Sequence, residues 1–227
     1  MPRDIPAVIR LLRRRFGRLK LRTEKDAVGL LVKTILSQNT SDVTSFRAFD
    51  NLKKRFRSWE SLRRADVSVI RREIKIAGLS NIKASRIKYA LDVIFMLRGS
   101  LELYFLGRLD TREGYAFLRS IKGVGPKTAA IVLLFAFDKP IMPVDTHIFR
   151  VTKRLGFIGG KMTPEKTQEY LTAVSPKKAI KEFHVHLIMH GRQVCTARDP
   201  KCPVCSLKSL CKYYGEKYGR QGPKDRK

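Results

Sequence analysis

Every cysteine of this chain falls in its last quarter, as Cys195, Cys202, Cys205 and Cys211 in the spacing C-x6-C-x2-C-x5-C. Four thiols in so short a run can surround one small object, and no spare cysteine competes for the role. Three structures are open to them: two disulfides, a structural zinc or an iron–sulfur cluster. Disulfides fit poorly, because the basic N-terminus MPRDIPAVIRLLRRRFG is followed by no apolar signal core, and disulfides belong to oxidising compartments. Zinc sites usually pair two C-x2-C knuckles across a long gap, whereas this run has one short gap and two longer ones. Four-cysteine iron–sulfur sites are commonly gathered from one compact run. The spacing alone favours a cluster and leaves zinc open.

The second constraint is charge. The 227 residues carry a net charge of +28 at pH 7, enough to repel itself in any compact state and to seek a polyanion. Basic residues crowd both ends: Arg10, Arg13, Arg14, Arg15, Arg18, Lys20 and Arg22 at the start, Lys212, Lys217, Arg220, Lys224, Arg226 and Lys227 at the close. An anionic membrane is the competing partner, but a surface helix would want Trp and Phe opposite its charges, and Trp59 is the one tryptophan. The longest apolar run, residues 129–137, is far short of the roughly 20 residues that cross a bilayer. A soluble, cytoplasmic and nucleoid-associated protein is expected, acting as a monomer. Three Asn and four Gln in the whole chain, beside abundant charge, match the composition of heat-adapted proteins.

Apolar spacing reads as helix throughout. Val28, Leu31, Val32, Ile35 and Leu36 line one face of a helix that Thr23 can cap. Val43, Phe46, Phe49, Leu52 and Phe56 form a second stripe after a start at Ser41, and Ile87, Ala90, Leu91, Ile94 and Phe95 a third. No alternating strand pattern occurs. Residues 213–227 are polar and basic and are expected to fray.

One break stands out, Ile121-Lys122-Gly123-Val124-Gly125-Pro126-Lys127-Thr128, leading into the apolar stretch 129–137. Two glycines around one apolar residue make a tight turn open to positive φ and close approach. Pro126 suits the first position of a new helix, whose leading amides point outward. Such a turn offers backbone N–H groups to phosphate without reading sequence. Lys127 sits in the first helical turn, where the macrodipole disfavours a cation. It is either a phosphate contact or an amine made nucleophilic by its surroundings. Eighteen residues on, Asp145 precedes Thr146-His147. It reads as an N-cap or as a carboxylate that takes a proton and steadies a cation at a sugar carbon. His184, His186 and His190 read as structural histidines.

Together these segments resemble a known family. LRSIKGVGPKTAAIVLLFAFDKPIMPVDTHIFRVTKRLG and HGRQVCTARDPKCPVCSLKSLC, with the earlier ILSQNTSDVT and IKIAGLSNIKASRI, are similar in order and content to the endonuclease III family of DNA glycosylases, within the helix–hairpin–helix superfamily. The resemblance implies an all-α, two-lobed fold: a six-helix barrel over residues 24–139 with the hairpin at about 118–137, and a cluster lobe from residues 1–23 plus 140–227, with DNA across the cleft between them. It implies a [4Fe–4S] cluster on Cys195, Cys202, Cys205 and Cys211. The partner implied is double-stranded DNA carrying damaged bases or abasic sites, with the target nucleotide rotated out of the stack.

By the same resemblance the amine of Lys127 attacks the anomeric carbon, expels an oxidised pyrimidine such as thymine glycol, and cuts the strand on the 3′ side by β-elimination, with Asp145 as its activator. Gly123, Val124 and Gly125 hold phosphate, and Leu79 wedges into the stack. Asn39 stands where relatives usually have a Gln that fills the vacated space; its side chain is shorter, and the neighbouring Gln38 is a candidate substitute. Alternatives are a uracil, thymine-mismatch or modified-cytosine glycosylase of the same family, a non-catalytic iron–sulfur DNA-binding protein, and a zinc-binding nucleic-acid module. The charge makes one prediction for all of them. Affinity for undamaged duplex, measured by fluorescence anisotropy, should fall by orders of magnitude between about 50 and 200 mM salt, as phosphate contacts release counterions.

Overall fold

The structure, a computed structural model, describes residues 4–219. The basic tail positions Arg220, Lys224, Arg226 and Lys227 lie outside the described residues. The fold class is all-α: twelve α-helices joined by turns and short 3-10 segments, with no strand among the described residues. In chain order these are α1 (Ile5–Phe16), α2 (Ala27–Leu36), α3 (Asp42–Arg55), α4 (Trp59–Arg64), α5 (Val67–Glu73), α6 (Ser80–Arg98), α7 (Thr111–Ser120), α8 (Pro126–Phe137), α9 (Thr146–Leu155), α10 (Pro164–Val174), α11 (Ile180–Gln193) and α12 (Lys212–Tyr218). Among the described residues no helix is long and apolar enough to cross a membrane. The chain divides into two compact units, Thr23–Lys139, and Met1–Arg22 with Pro140–Lys227.

The unit Thr23–Lys139 is built around α8, PKTAAIVLLFAF, which buries Thr128, Ala129, Ala130, Val132, Leu133, Leu134 and Ala136. A helix apolar on every side must be enclosed, and α2 and α7 pack against it. Leu133 is fully enclosed, a burial that stabilises by about 2 kcal/mol. The α2 stripe is buried as its spacing predicts, from Val28 to Leu36. Its cap differs from expectation: Asp26 Oδ1 accepts from Gly29 N–H at 2.8 Å, while Thr23 Oγ1 donates to Asp138 at 2.5 Å. Four residues before Ala27, Thr23 lies too far upstream to reach the first amides.

Helix α3 also departs from its apolar pattern. Ser41 caps it, accepting from Thr44 N–H at 3.3 Å, but the buried face is Ser45, Ala48 and Leu52. With that face turned inward, in a helix that packs against α2 and the 3-10 turn Lys75–Ala77, Val43 and Phe46 are left exposed. The Lys33 ammonium covers Phe46, 4.3 Å from its ring centroid, a cation–π contact that shields apolar surface.

In the other unit, α11 packs against α1 and α9, and α12 against α9. The fraying expected of residues 213–227 is not found over 213–218, where α12 continues to Tyr218 with Tyr214 and Tyr218 packed at 4.9 Å between centroids; residues 220–227 lie outside the described residues. Glu182 on α11 holds the N-terminal segment. It accepts from Arg13 Nε at 2.7 Å and Nη2 at 2.5 Å, and from Leu19 N–H at 3.0 Å. Burial alone would raise the Glu182 carboxyl; the bonds from Arg13 and Leu19 more than offset this and hold it below its ordinary value. A lowered folded-state value means stability that is fully present above the unfolded pKa and lost as pH falls through the folded one. We therefore predict that Glu182→Gln costs roughly 1–3 kcal/mol at pH 7 in urea unfolding, and that the difference from wild type narrows on acidification below about pH 4.

Candidate active site and cysteine cavity

The break singled out in the sequence is a hairpin between α7 and α8. Asp110 and Glu113 start α7 reciprocally: Asp110 Oδ1 accepts from Glu113 N–H at 2.7 Å, and Glu113 Oε2 from Asp110 N–H at 2.9 Å. Ile121 and Val124 are buried anchors, and Val124 N–H donates to Ile121 O at 3.0 Å. Of the two glycines only Gly123 uses positive φ, at 91°. A Cβ there would meet Arg86 Cγ at 2.7 Å. Gly125 is extended, and a Cβ on it would meet open space. The Val124 amide is therefore used within the turn, whereas those of Gly123 and Gly125 donate to no carbonyl of the described residues.

No side chain caps α8. Its N-terminal turn carries Pro126 and then Lys127, which is half-buried. Within its unit the Lys127 ammonium has no hydrogen-bond or ion-pair partner. The hairpin is braced from α2–α3: Gln38 Nε2 donates to Gly123 O at 3.3 Å and to Thr128 Oγ1 at 3.4 Å, and Gln38 Oε1 accepts from Arg86 at 2.7 Å. Gln38, the candidate substitute for Asn39, is thus held within the protein. Both ends of its amide are engaged by protein, and Asn39 is the exposed residue of the pair.

Asn39 and Leu79 share an unusual backbone. They have φ of 53° and 49°, left-handed values that only three non-glycine residues adopt among those described. Leu79 is 53% exposed beside exposed Ile82, and an open groove runs from Ile82 past Arg86 to Lys122 and Gly123.

In the second unit, Asp145 is the N-cap of α9, with Oδ1 accepting from Ile148 N–H at 2.8 Å. The strand-like approach, residues 141–144, is buried and fixed by Thr172 Oγ1 on Met142 N–H at 2.9 Å. Among the described residues of that unit, Oδ2 of Asp145 makes no hydrogen bond.

Cys195, Cys202, Cys205 and Cys211 line one cavity with Val151, Leu155, Val194 and Leu207. All four are free thiols, which removes the disulfide alternative. Arg150 and Arg154 of α9 pin the loop: Arg150 donates to Cys195 O at 2.9 Å, and Arg154 to Thr196 O at 2.7 Å and Cys195 Sγ at 3.4 Å. Leu207 N–H donates to Cys205 Sγ at 3.4 Å. Burial pushes the Cys205 thiol up to about 11, partly offset by that N–H, so thiolates here require a positive group among them. Among the described residues no three His, Cys, Asp or Glu side chains converge as ligands of one metal ion; the cysteines surround a space. His184 bonds Pro143 O at 3.1 Å, and His186 bonds Gly17 O at 3.0 Å. Burial lowers His190 to about 4. These histidines are core groups.

Residues 32–177 match the model of the HhH-GPD superfamily base excision DNA repair proteins. The endonuclease III of Sulfolobus acidocaldarius is 35% identical over 84% of this chain and 83% of its own length. That of Escherichia coli is 34% identical over 81% and 82%. A solved structure of a trapped endonuclease III–DNA covalent intermediate superposes with a TM-score of 0.81 at 26% identity, covering 95% of this chain and 98% of that one. The chain belongs to the HhH-GPD superfamily of base excision DNA repair proteins.

Two residues of this HhH-GPD chain escaped the sequence reading. Arg86 supports both Gln38 and Gly123, and Lys83 is buried to 1% exposure. A signal was present for the second: Lys83 falls on the same helical stripe as Ile87, Ala90 and Leu91, where a charged residue is out of place.

Proposed function

We infer that this chain is a base excision repair DNA glycosylase that also cleaves abasic sites, with Lys127 as its nucleophile. One observation carries the reading. An amine without a partner in its unit stands at the uncapped N-terminus of an enclosed helix, two residues from a turn whose Gly123 and Gly125 amides are free for phosphate. A structural role would favour Asp or Glu at that position. A solved relative of 26% identity is an endonuclease III in a trapped covalent intermediate with DNA, the species a lysine nucleophile yields.

The chemistry follows from the groups. The Lys127 lone pair forms a bond to the anomeric carbon, the bond from that carbon to the base breaks, and the base leaves with the electron pair and a proton. The amine gives up its own protons and the sugar ring opens, leaving a Schiff base on Lys127. Loss of a proton from the neighbouring sugar carbon then expels the 3′ phosphate oxygen, and water releases the enzyme. Asp145 has the chemistry to accept the amine's proton and to balance positive charge on the sugar. Leu79 and Asn39 enter the stack where the nucleotide leaves it. Oxidised pyrimidines in double-stranded DNA are the proposed substrates, and the protein acts as a monomer.

The four thiols fit a [4Fe–4S] cluster: they surround one apolar-walled cavity, remain unpaired and receive N–H donors from Leu207 and Arg154. When bound, such a group supplies the positive core that four thiolates need. Arg150 and Arg154 already hold the loop that carries Arg198, Lys201 and Lys208.

Borohydride trapping on a duplex containing thymine glycol tests the catalytic reading. Wild type should give a covalent complex and Lys127→Ala none; trapping by Lys127→Ala would refute the nucleophile. Asp145→Asn is the sharper variant, since Asn caps helices as well as Asp. It should leave the melting temperature unchanged while lowering single-turnover cleavage by about 100- to 10,000-fold. For the cofactor, purified protein should be brown and lose its visible absorption in Cys202→Ser. A colourless, zinc-loaded protein would overturn the cluster.

A further inference from the structure

Among the largest fully enclosed side chains of the described residues is that of a lysine. Lys83 lies in the second turn of α6, and its ammonium donates to Leu36 O at 2.7 Å, Thr40 Oγ1 at 2.6 Å and Ala77 O at 2.8 Å. Thr40 Oγ1 in turn donates to Ala77 O. Three donors meet three neutral oxygens, so the charge is buried without a carboxylate. Burial lowers its pKa accordingly. A cation held this way costs stability that Met or Leu would not.

The acceptors show what is gained. Leu36 and Thr40 bracket the loop whose exposed, left-handed residue is Asn39. Ala77 precedes Gly78 and Leu79, a second exposed left-handed site. Lys83 N–H also donates to Leu79 O at 3.0 Å. Asn39 lies in the turn after α2, and Leu79 joins the 3-10 turn Lys75–Ala77 to α6; left-handed Leu and Asn are sparsely populated unless their surroundings enforce them. One ammonium ties both to the same point.

We propose that Lys83 is the positioning residue that fixes Leu79 and Asn39 as a single preformed wedge for opening the base stack. The proposal rests on the glycosylase reading for the wedge's use, but its structural half is independent of the chemistry. Lys83 never touches DNA. It acts through Ala77 and Thr40, making insertion of two side chains from different loops one event instead of two orderings.

Lys83→Met, of similar length and without donors, tests this, with Thr40→Val as the milder second variant should the first fail to fold. In the free protein, hydrogen exchange should quicken at the amides of residues 38–40 and 78–79 and not at those of the hairpin. On a duplex carrying a tetrahydrofuran abasic-site analogue opposite 2-aminopurine, wild type should brighten the probe, and Lys83→Met should lose most of that signal. Base excision from duplex should fall by about 100-fold, while cleavage of an abasic site in single-stranded DNA, which has no stack to open, changes less than about threefold. A merely structural role would lower both activities together. Leu79→Ala added to Lys83→Met should cost little more than either alone, because both remove one device. Unchanged exchange, or equal brightening by wild type and Lys83→Met, would overturn the proposal. A wild type that brightens the probe but traps no covalent complex would count against the lyase reading alone.

Discussion

The position of Lys127 follows from the burial of α8. Its sequence offers no polar face, so the helix cannot lie on a surface, and α2 and α7 enclose it. Ile131, Phe135 and Phe137 are partly exposed, and the one charged residue of the helix lies in its first turn. That turn begins with Pro126, which sets the helical φ without needing a donor bond, and is preceded by Gly125, beside which a side chain would find only empty space. The packing that stabilises the unit thus also delivers an uncapped helix end and one amine to the exterior. The hairpin adds directional support: Ile121 and Val124 are sunk into the core, so Gly123 and Gly125 are left on the outside of the turn.

The unit of residues 1–22 and 140–227 solves a different problem, the placing of an irregular loop of thiols. Little regular structure spans residues 194–207, and α9 supplies the order from its side. Arg150 and Arg154, one turn apart, spend their guanidinium donors on the carbonyl of Gly191 in α11 and on the loop carbonyls of Cys195, Thr196 and Ala197. Asp145 caps the same helix. Through α9, the proposed proton acceptor and the proposed cluster loop share one rigid element.

Much of this was legible in the sequence, and the exceptions have physical causes. The α2 and α6 stripes, the Pro126 start and the Asp145 cap follow local rules that tertiary structure left alone. The α3 stripe was misleading because hydrophobic spacing records which residues are apolar, not which face the neighbours cover; the face with Ser45 and Ala48 is buried, and Phe46 is covered by the Lys33 ammonium. The role of Gln38 was hidden because its partners, Gly123 and Thr128, lie 85 and 90 residues away. Lys83 escaped notice because a lone lysine among apolar residues is usually read as a snorkelling surface group, and its three acceptors are mostly backbone carbonyls, which no sequence pattern displays.

Where the chain breaks local rules, the breaks cluster. A cation occupies the positive end of α8, that helix has no cap, Leu79 and Asn39 adopt left-handed backbone, and Lys83 is buried without a counter-ion. Each lowers stability, and each could be relieved by one ordinary substitution. All fall between residues 36 and 128 of one unit, in the α2–α3 loop, the turn before α6 and the hairpin. Other stretches of that unit keep the rules, among them the capping box of α7 and the buried face of α8. Local conflict confined to a few linked segments in an otherwise consistent fold marks where function opposes stability. Here the linked segments are those that would have to meet a nucleic acid backbone, open its stack and present an amine to the exposed sugar.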